Sequence, residues 1–305
     1  MLVLGHQNPD CDSLCSAIGL AALFNKMGRP ATPVLQGEPN PEAQFLLEQS
    51  GFPTPEIRTS VAGEEIFIVD YSDWSQGTSD MKKAKIRGIV DHHKLGDITT
   101  NEPLECWIWP VGCSATIVYN MYKFNNQTPD AAVAKLMMGA IISDTVNFQG
   151  PTTTDIDKVA AKELAEFAGV TDLGAFAEAQ FEAKSDIAAV SAAELILRDQ
   201  KVFEMAGEKL AIGQLELTSL ETAFSKKDEM LVEMGQLQAD KGYHSTIVLL
   251  TDIHKLDTTA LIISKDADKV AKALNSVVAD HMFELPGVVS RKKQIIPFLQ
   301  EAFEA

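Results

Sequence analysis

Short apolar runs punctuate the chain, and stretches with helical spacing of apolar positions fill the gaps between them. In the first half, the runs predict strands over 1–5, 32–35, 65–69, 86–90 and 106–109. The intervening periodicity predicts helices over 13–27, 41–49, 114–123, 130–141 and 155–167. Gly28-Arg29-Pro30, Gly51-Phe52-Pro53 and Gly150-Pro151 break these elements apart, and Thr152-Thr153-Thr154 before Asp155 offers a hydroxyl cap for the last helix. Strand and helix alternate, which predicts an α/β fold with a largely parallel sheet. A polar, then Ala-rich stretch around 184–191 marks a boundary, giving a first domain over 1–186 and a second over 187–305. The second reads as a smaller α/β unit with a mixed sheet: strands over 201–205, 209–217, 246–250 and 260–263, helices over 227–240, 268–275 and 296–303. There is no internal repeat and no low-complexity tract.

Composition narrows the class. The chain has 305 residues, 46% hydrophobic and 23% charged, a globular profile with room for two cores. It has no apolar run of about 18 residues and no secretory start, so neither a membrane span nor export is expected. Cys11, Cys15, Cys106 and Cys113 form neither a disulfide framework nor Cys-x-x-Cys pairs, which suits a reducing cytoplasm. A net charge of -17 argues against a nucleic-acid binder, since such affinity rests on Lys and Arg neutralising phosphates.

Against this background, the placement of histidine and aspartate carries the chemistry. The first strand delivers Gly5-His6-Gln7-Asn8-Pro9-Asp10-Cys11-Asp12, the third delivers Asp70, and the fourth delivers Asp91-His92-His93. In an open parallel sheet, ligands bind beyond the carboxyl ends of strands, which puts His6, Asp10, Asp12, Asp70, His92 and His93 around one crevice. Asp144 ends a further apolar run, Met137 to Ser143. Each has an ordinary alternative: Asp10 and Asp12 as turn and cap, Asp70 as a strand end, Asp144 as a cap, the histidine pair as a solvated loop. Their coincidence at one end of one sheet favours a metal site. A donor set of carboxylate and imidazole without thiolate fits Mn(II) or Co(II), with Mg(II) as a companion of the substrate. Asp10, Asp12, Asp70 and Asp144 carry the charge that two divalent ions neutralise, and ions about 3.5–4 Å apart can share and deprotonate one water.

The second half contributes cations. Ser290-Arg291-Lys292-Lys293-Gln294 is a basic cluster in a chain with only 26 Lys and Arg, and Gly287-Val288-Val289 leads into it like a strand. Arg291 can grip a phosphate bidentately and Lys292 can add a point charge, whereas Lys293 reads as a solvated face. Lys201, opening the first strand after the boundary, is a weaker candidate.

His6-x-x-x-Asp10-x-Asp12, Asp70, Asp91-His92-His93 and Ser143-Asp144 together resemble the DHH phosphoesterases. Gly287 to Gln294 resembles the C-terminal signature of one branch, the manganese-dependent family II inorganic pyrophosphatases, and the nuclease branch's Gly-Gly-Gly-His type motif is absent. The resemblance spans essentially the whole chain. It implies one ion on His6, Asp10, Asp70 and Asp144 and a second on Asp12, Asp70, His92 and Asp144. It also implies phosphate binding by His93, Lys201, Arg291 and Lys292, with Asp91 orienting the histidines. An active site in an interdomain cleft, domain closure and a homodimer formed through the N-terminal domain are further implications. Cys11 departs from the small Thr or Ala usual between the two aspartates, and its thiol is expected to make the protein sensitive to peroxide.

The expected activity is hydrolysis of inorganic pyrophosphate to two phosphates by a hydroxide shared between the ions, with no nucleic-acid or membrane partner. The rivals are a short-chain exopolyphosphatase or an oligonucleotide phosphodiesterase of the same superfamily, and a non-catalytic manganese-binding protein. The last would leave Arg291 and Lys292 without a task.

Overall fold

The apolar runs of the first half become the inner strands of a parallel sheet. The computed structural model describes residues 1–304, and the chain divides into two compact units, Met1–Ala183 and the residues from Lys184 onward. The first unit runs β1 (Leu2–Leu4), α1 (Cys11–Lys26), β2 (Thr32–Leu35), α2 (Pro41–Ser50), β3 (Glu56–Ile57), β4 (Glu65–Val69), β5 (Lys85–Asp91), β6 (Glu105–Ile108), α3 (Ser114–Phe124), α4 (Ala131–Asp144), α5 (Asp155–Ala168) and α6 (Leu173–Ser185). Its six strands lie in the order β3-β2-β1-β4-β5-β6, every neighbouring pair parallel.

That order reverses direction between β1 and β4. The chain builds outward from β1 to β3 on one side and from β4 to β6 on the other, so the loops leaving β1 and β4 diverge and open a crevice. Val3, Leu4 and Ile66 to Val69 are fully buried, as expected for strands covered on both faces. Helices α1 and α4 are buried along much of their length, and Phe24 of α1 meets Phe67 of β4 edge to face at 5.1 Å. Gly5 lets α1 start directly against the end of β1. A Cβ there would stand 1.9 Å from Ser13 Oγ. Thr154 caps α5 in a reciprocal box with Asp157, and Gly169 in the left-handed region ends that helix.

The second unit comprises α7 (Ala192–Leu197), β7 (Lys201–Met205), β8 (Glu208–Leu217), α8 (Glu221–Ser225), α9 (Lys227–Lys241), β9 (Ser245–Asp252), β10 (Asp257–Ser264), α10 (Ala267–Ala273), β11 (Met282–Leu285), a π-helical turn (Arg291–Ile295) and α11 (Ile296–Glu304). Its sheet is mixed, in the order β11-β10-β9-β8-β7, with β8 and β9 parallel and the other pairs antiparallel. Alternation along the fully buried β9 feeds two cores. Ile247 and Leu249 join Ile212, Phe283 and Leu299 on one face, while Val248 and Leu250 join Leu215, Met230 and Met234 on the other.

Three expectations need correction. Gly287-Val288-Val289 is not a strand: β11 ends at Leu285, and Gly287 turns the chain at φ +71°. Helix α4 does not stop near 141 but continues through Asp144. Strand β3, strand β11 and helices α6, α7 and α8 are additional to the elements read from the pattern.

Candidate metal centre and phosphate cluster

The crevice at the β1/β4 reversal collects the acids and imidazoles. His6 follows β1, and its Nε2 lies 3.3 Å from Asp10 Oδ2 and 3.4 Å from Asp70 Oδ2. Asp10 caps α1 through Oδ1, which accepts from the Ser13 amide at 2.9 Å, so the capping and ligand readings hold for different oxygens of one carboxylate. Asp70 follows β4 at φ +67°, a left-handed conformation that aspartate tolerates better than most residues, and its side chain is buried.

His92 follows β5. Its Nδ1 lies 3.0 Å from the Val111 carbonyl, which only a protonated Nδ1 satisfies, so in the neutral imidazole Nε2 carries the lone pair. That Nε2 lies 3.6 Å from Asp70 Oδ1, 3.7 Å from Asp144 Oδ2 and 4.0 Å from Asp12 Oδ2. The two oxygens of Asp70 therefore face two different imidazoles. Asp12 reaches in from α1, and the first amides of α3, Ser114 and Ala115, donate to it at 2.5 and 2.9 Å. The amino end of α3 thus fixes both oxygens of this carboxylate through two backbone donors.

His93 Nδ1 lies 2.9 Å from Asp91 Oδ1, which also accepts the His93 amide at 3.0 Å. Asp91 is wholly buried, and its second oxygen has no hydrogen-bond partner among the described residues. Asp91 thus orients His93, while the Val111 carbonyl orients His92. Asp144 closes α4, where a carboxylate opposes the helix dipole and cannot serve as a favourable cap. The next turn holds Val146, Asn147 and Phe148 all at positive φ, and the Val146 and Asn147 amides donate to the carbonyls of Ser143 and Ile142.

Three ligand groupings result, each with donor atoms within 4.8 Å of one another: His6, Asp10 and Asp70; Asp70, His92 and His93; Asp12, Cys113 and Asp144. The third places the Cys113 thiol beside two of the expected carboxylate ligands. Cys113 sits just before α3, and burial, followed by the charges of Asp12 and Asp144, pushes its thiol well above the usual range. A lone Cys between Gly112 and Ser114 carries no ligand signature in sequence.

This donor set fits divalent cations. Burial first, then the carboxylates of Asp12, Asp10 and Asp91, push Asp70 well above the ordinary carboxylate range. Bound cations would remove that repulsion, and the oriented lone pair on His92 supplies an imidazole donor.

The second unit gathers the predicted cations. Arg291 opens the π-helical turn and is buried; its Nη1 donates to the carbonyls of Asp199 and Ile212, and its Nη2 donates to Asp199 Oδ1 at 3.0 Å. Lys201 opens β7 opposite Ile212, the residue whose carbonyl holds Arg291. Lys292 and Lys293 are exposed. Gln214, which sequence reasoning missed, accepts from the Arg291 amide at 3.3 Å and donates to the Val289 carbonyl at 2.9 Å.

Comparison with known proteins agrees in order and extent. The DHH family, N-terminal domain, matches residues 1–141, and the DHHA2 domain matches residues 178–302. The chain is 39% identical to a probable manganese-dependent inorganic pyrophosphatase of Archaeoglobus fulgidus, over 99% of this chain and 97% of that one. It is 38% identical to the manganese-dependent inorganic pyrophosphatase of Bacillus subtilis, covering 99% and 98%. The crystal structure of a putative family II inorganic pyrophosphatase of Methanococcus jannaschii superposes with a TM-score of 0.90 at 38% identity, covering 99% of each chain. With a DHH domain followed by a DHHA2 domain, this chain belongs to the manganese-dependent inorganic pyrophosphatases.

Proposed function

We propose that this protein hydrolyses inorganic pyrophosphate to two phosphates. His6, Asp10, Asp70 and Asp144 would hold one Mn(II), and Asp12, Asp70, His92 and Asp144 would hold a second. Co(II) can substitute, and Mg(II) arrives with the substrate. Bound ions supply Lewis acidity toward the phosphoryl oxygens and activate water at neutral pH. The observation that carries the reading is Asp70, whose Oδ2 faces His6 at 3.4 Å and whose Oδ1 faces His92 at 3.6 Å.

The remaining residues position and neutralise. His93, oriented through Nδ1 by Asp91, would stabilise the bridging or leaving phosphate oxygen through Nε2. Arg291, Lys292 and Lys201 bind the phosphates, whose charge exceeds what a site already balanced by its own carboxylates can absorb. Gln214 keeps the Arg291 backbone in register.

The enzyme acts in the cytoplasm as a homodimer formed through the N-terminal domain, without nucleic acid or membrane as partner. Among the described residues, no helix is long and apolar enough to cross a membrane. Support for the dimer is the outer strand β6, where half-buried Trp107 lies beside Trp109 and beside Phe124, which is 72% exposed.

The test strips the protein with a chelator, restores Mn(II) or Mg(II), and measures phosphate released from pyrophosphate, tripolyphosphate and a short oligonucleotide. Pyrophosphate is expected to be cleaved far faster than the other two in the restored enzyme. Comparable cleavage of tripolyphosphate or oligonucleotide, or none of pyrophosphate, would overturn the assignment.

A further inference from the structure

Arg291 is not a free arm. A guanidinium carries five N–H donors in a rigid plane. Both donors of Nη1 and one of Nη2 are spent within the second unit, on the Asp199 carbonyl, the Ile212 carbonyl and Asp199 Oδ1. What remains is the side edge, Nε with the other Nη2 proton, whose parallel donors match two oxygens of a phosphate.

The residue doing this gripping is itself specially placed. Asp199 lies between α7 and β7 at φ +47°, a left-handed conformation that brings its carbonyl and carboxylate to one guanidinium. Strand β8 passes close behind that turn because Gly213 lacks a side chain. A Cβ there would meet the Ile196 carbonyl at 3.3 Å and the Arg198 carbonyl at 3.5 Å. Two residues after Asp199 comes Lys201, paired across the ladder with Ile212, the other acceptor of Arg291. One short turn thus sets the register of two cations.

We infer that Asp199 is a positioning residue for phosphate: it clamps the end of Arg291 so that the side edge of the guanidinium is presented to the substrate. This rests on the proposed phosphate-binding role of Arg291. A carboxylate that merely competed for the arginine would have the opposite effect, weakening phosphate binding by occupying the donors.

The experiment uses the manganese-loaded enzyme and compares Asp199→Gly, Asp199→Asn, Arg291→Ala and the Asp199→Gly/Arg291→Ala double variant. Glycine removes the carboxylate but keeps the left-handed turn, and asparagine keeps an acceptor as well as the turn. Readouts are KM and kcat for pyrophosphate, calorimetric affinity for inorganic phosphate, and the melting temperature. Asp199→Gly is expected to raise KM and weaken phosphate binding about tenfold with kcat within about threefold, and Asp199→Asn to fall between it and the native enzyme. On the Arg291→Ala background, Asp199→Gly should add less than about twofold. Native KM and phosphate affinity in Asp199→Gly, or tighter binding, beside a strong effect of Arg291→Ala, would overturn the inference and leave the proposed function standing. No effect of Arg291→Ala would instead remove the phosphate role of Arg291. If Asp199→Gly does not fold, Asp199→Asn decides: weaker phosphate binding supports the clamp, and native binding refutes it.

Discussion

Asp70 shows how single residues set the behaviour of the site. Its carboxyl is raised by burial and by neighbouring acids, so the folded, metal-free chain retains a proton that the unfolded chain has already released. Between the ordinary carboxylate pKa and that raised value, metal-free stability therefore falls as pH climbs. In chelator at neutral pH, Asp70→Asn is expected to melt above the native protein, by on the order of 1–3 kcal/mol, with the gap closing toward pH 4. Saturating Mn(II) should reverse the order, because the variant loses the negative charge and one of the two oxygens that face His6 and His92; an unchanged order in thermal melts would contradict this. The cysteines revise another expectation. Cys11 is buried at 1% exposure, and Cys15 and Cys113 are fully buried, whereas Cys106 is exposed on β6. A thiol reagent applied to dilute folded protein should therefore modify Cys106 first, read by mass spectrometry of the digested chain. Early modification of Cys11 would show that α1 opens. Strand-end positions made His6, Asp70 and His92 legible in sequence. Cys113, Gln214 and Asp199 were not, because their partners lie far away along the chain and nothing local marks them.

The elements that support these residues were legible where burial imposes a pattern. Strands β1, β2, β4 and β5 are short apolar runs bounded by breakers, and β7 and β8 flank Ala206-Gly207, so their positions follow from sequence. Strand β3 did not, since its two residues, Glu56 and Ile57, are both exposed and carry no apolar signal. Strand β11 is only four residues long, and α6 buries Ala177, Gln180 and Phe181, a face too small and mixed to stand out. Helix α4 was cut short because Ser143-Asp144-Thr145 reads as a turn. The helix continues, and Thr145 Oγ1 donates to the Ile141 carbonyl at 2.6 Å instead of breaking it. The junction of β1 with α1 matters most to the metal site. Gly5→Ala would drive a methyl into Ser13, displacing the segment that carries Asp10 and Asp12. Expected are a loss of about 1–3 kcal/mol in stability and weaker Mn(II) binding, measured by denaturation and metal titration. Native Mn(II) affinity in this variant would show that the approach of α1 to β1 does not set the ligand geometry.

At the scale of the whole molecule, the proposed roles divide between the two units: carboxylates and imidazoles of the first would hold cations, and Arg291, Lys292 and Lys201 of the second would hold phosphate. The parallel sheet was readable from the alternation of strand and helix, whereas the strand order with its reversal between β1 and β4 was not, because pairing partners leave no local mark in the sequence. Arg291→Ala and Lys292→Ala should each raise KM for pyrophosphate about tenfold or more while leaving the Mn(II) binding isotherm unchanged. His92→Ala should weaken Mn(II) binding itself. Equal effects on metal and substrate in the Arg291 and Lys292 variants would remove the division. The most direct test of the central claim is one titration of chelator-stripped protein with Mn(II), following bound metal and phosphate release from pyrophosphate together. Two ions per chain are expected, with hydrolysis rising only as the second binds. Full activity with one ion, or two bound ions without pyrophosphate cleavage, would contradict it.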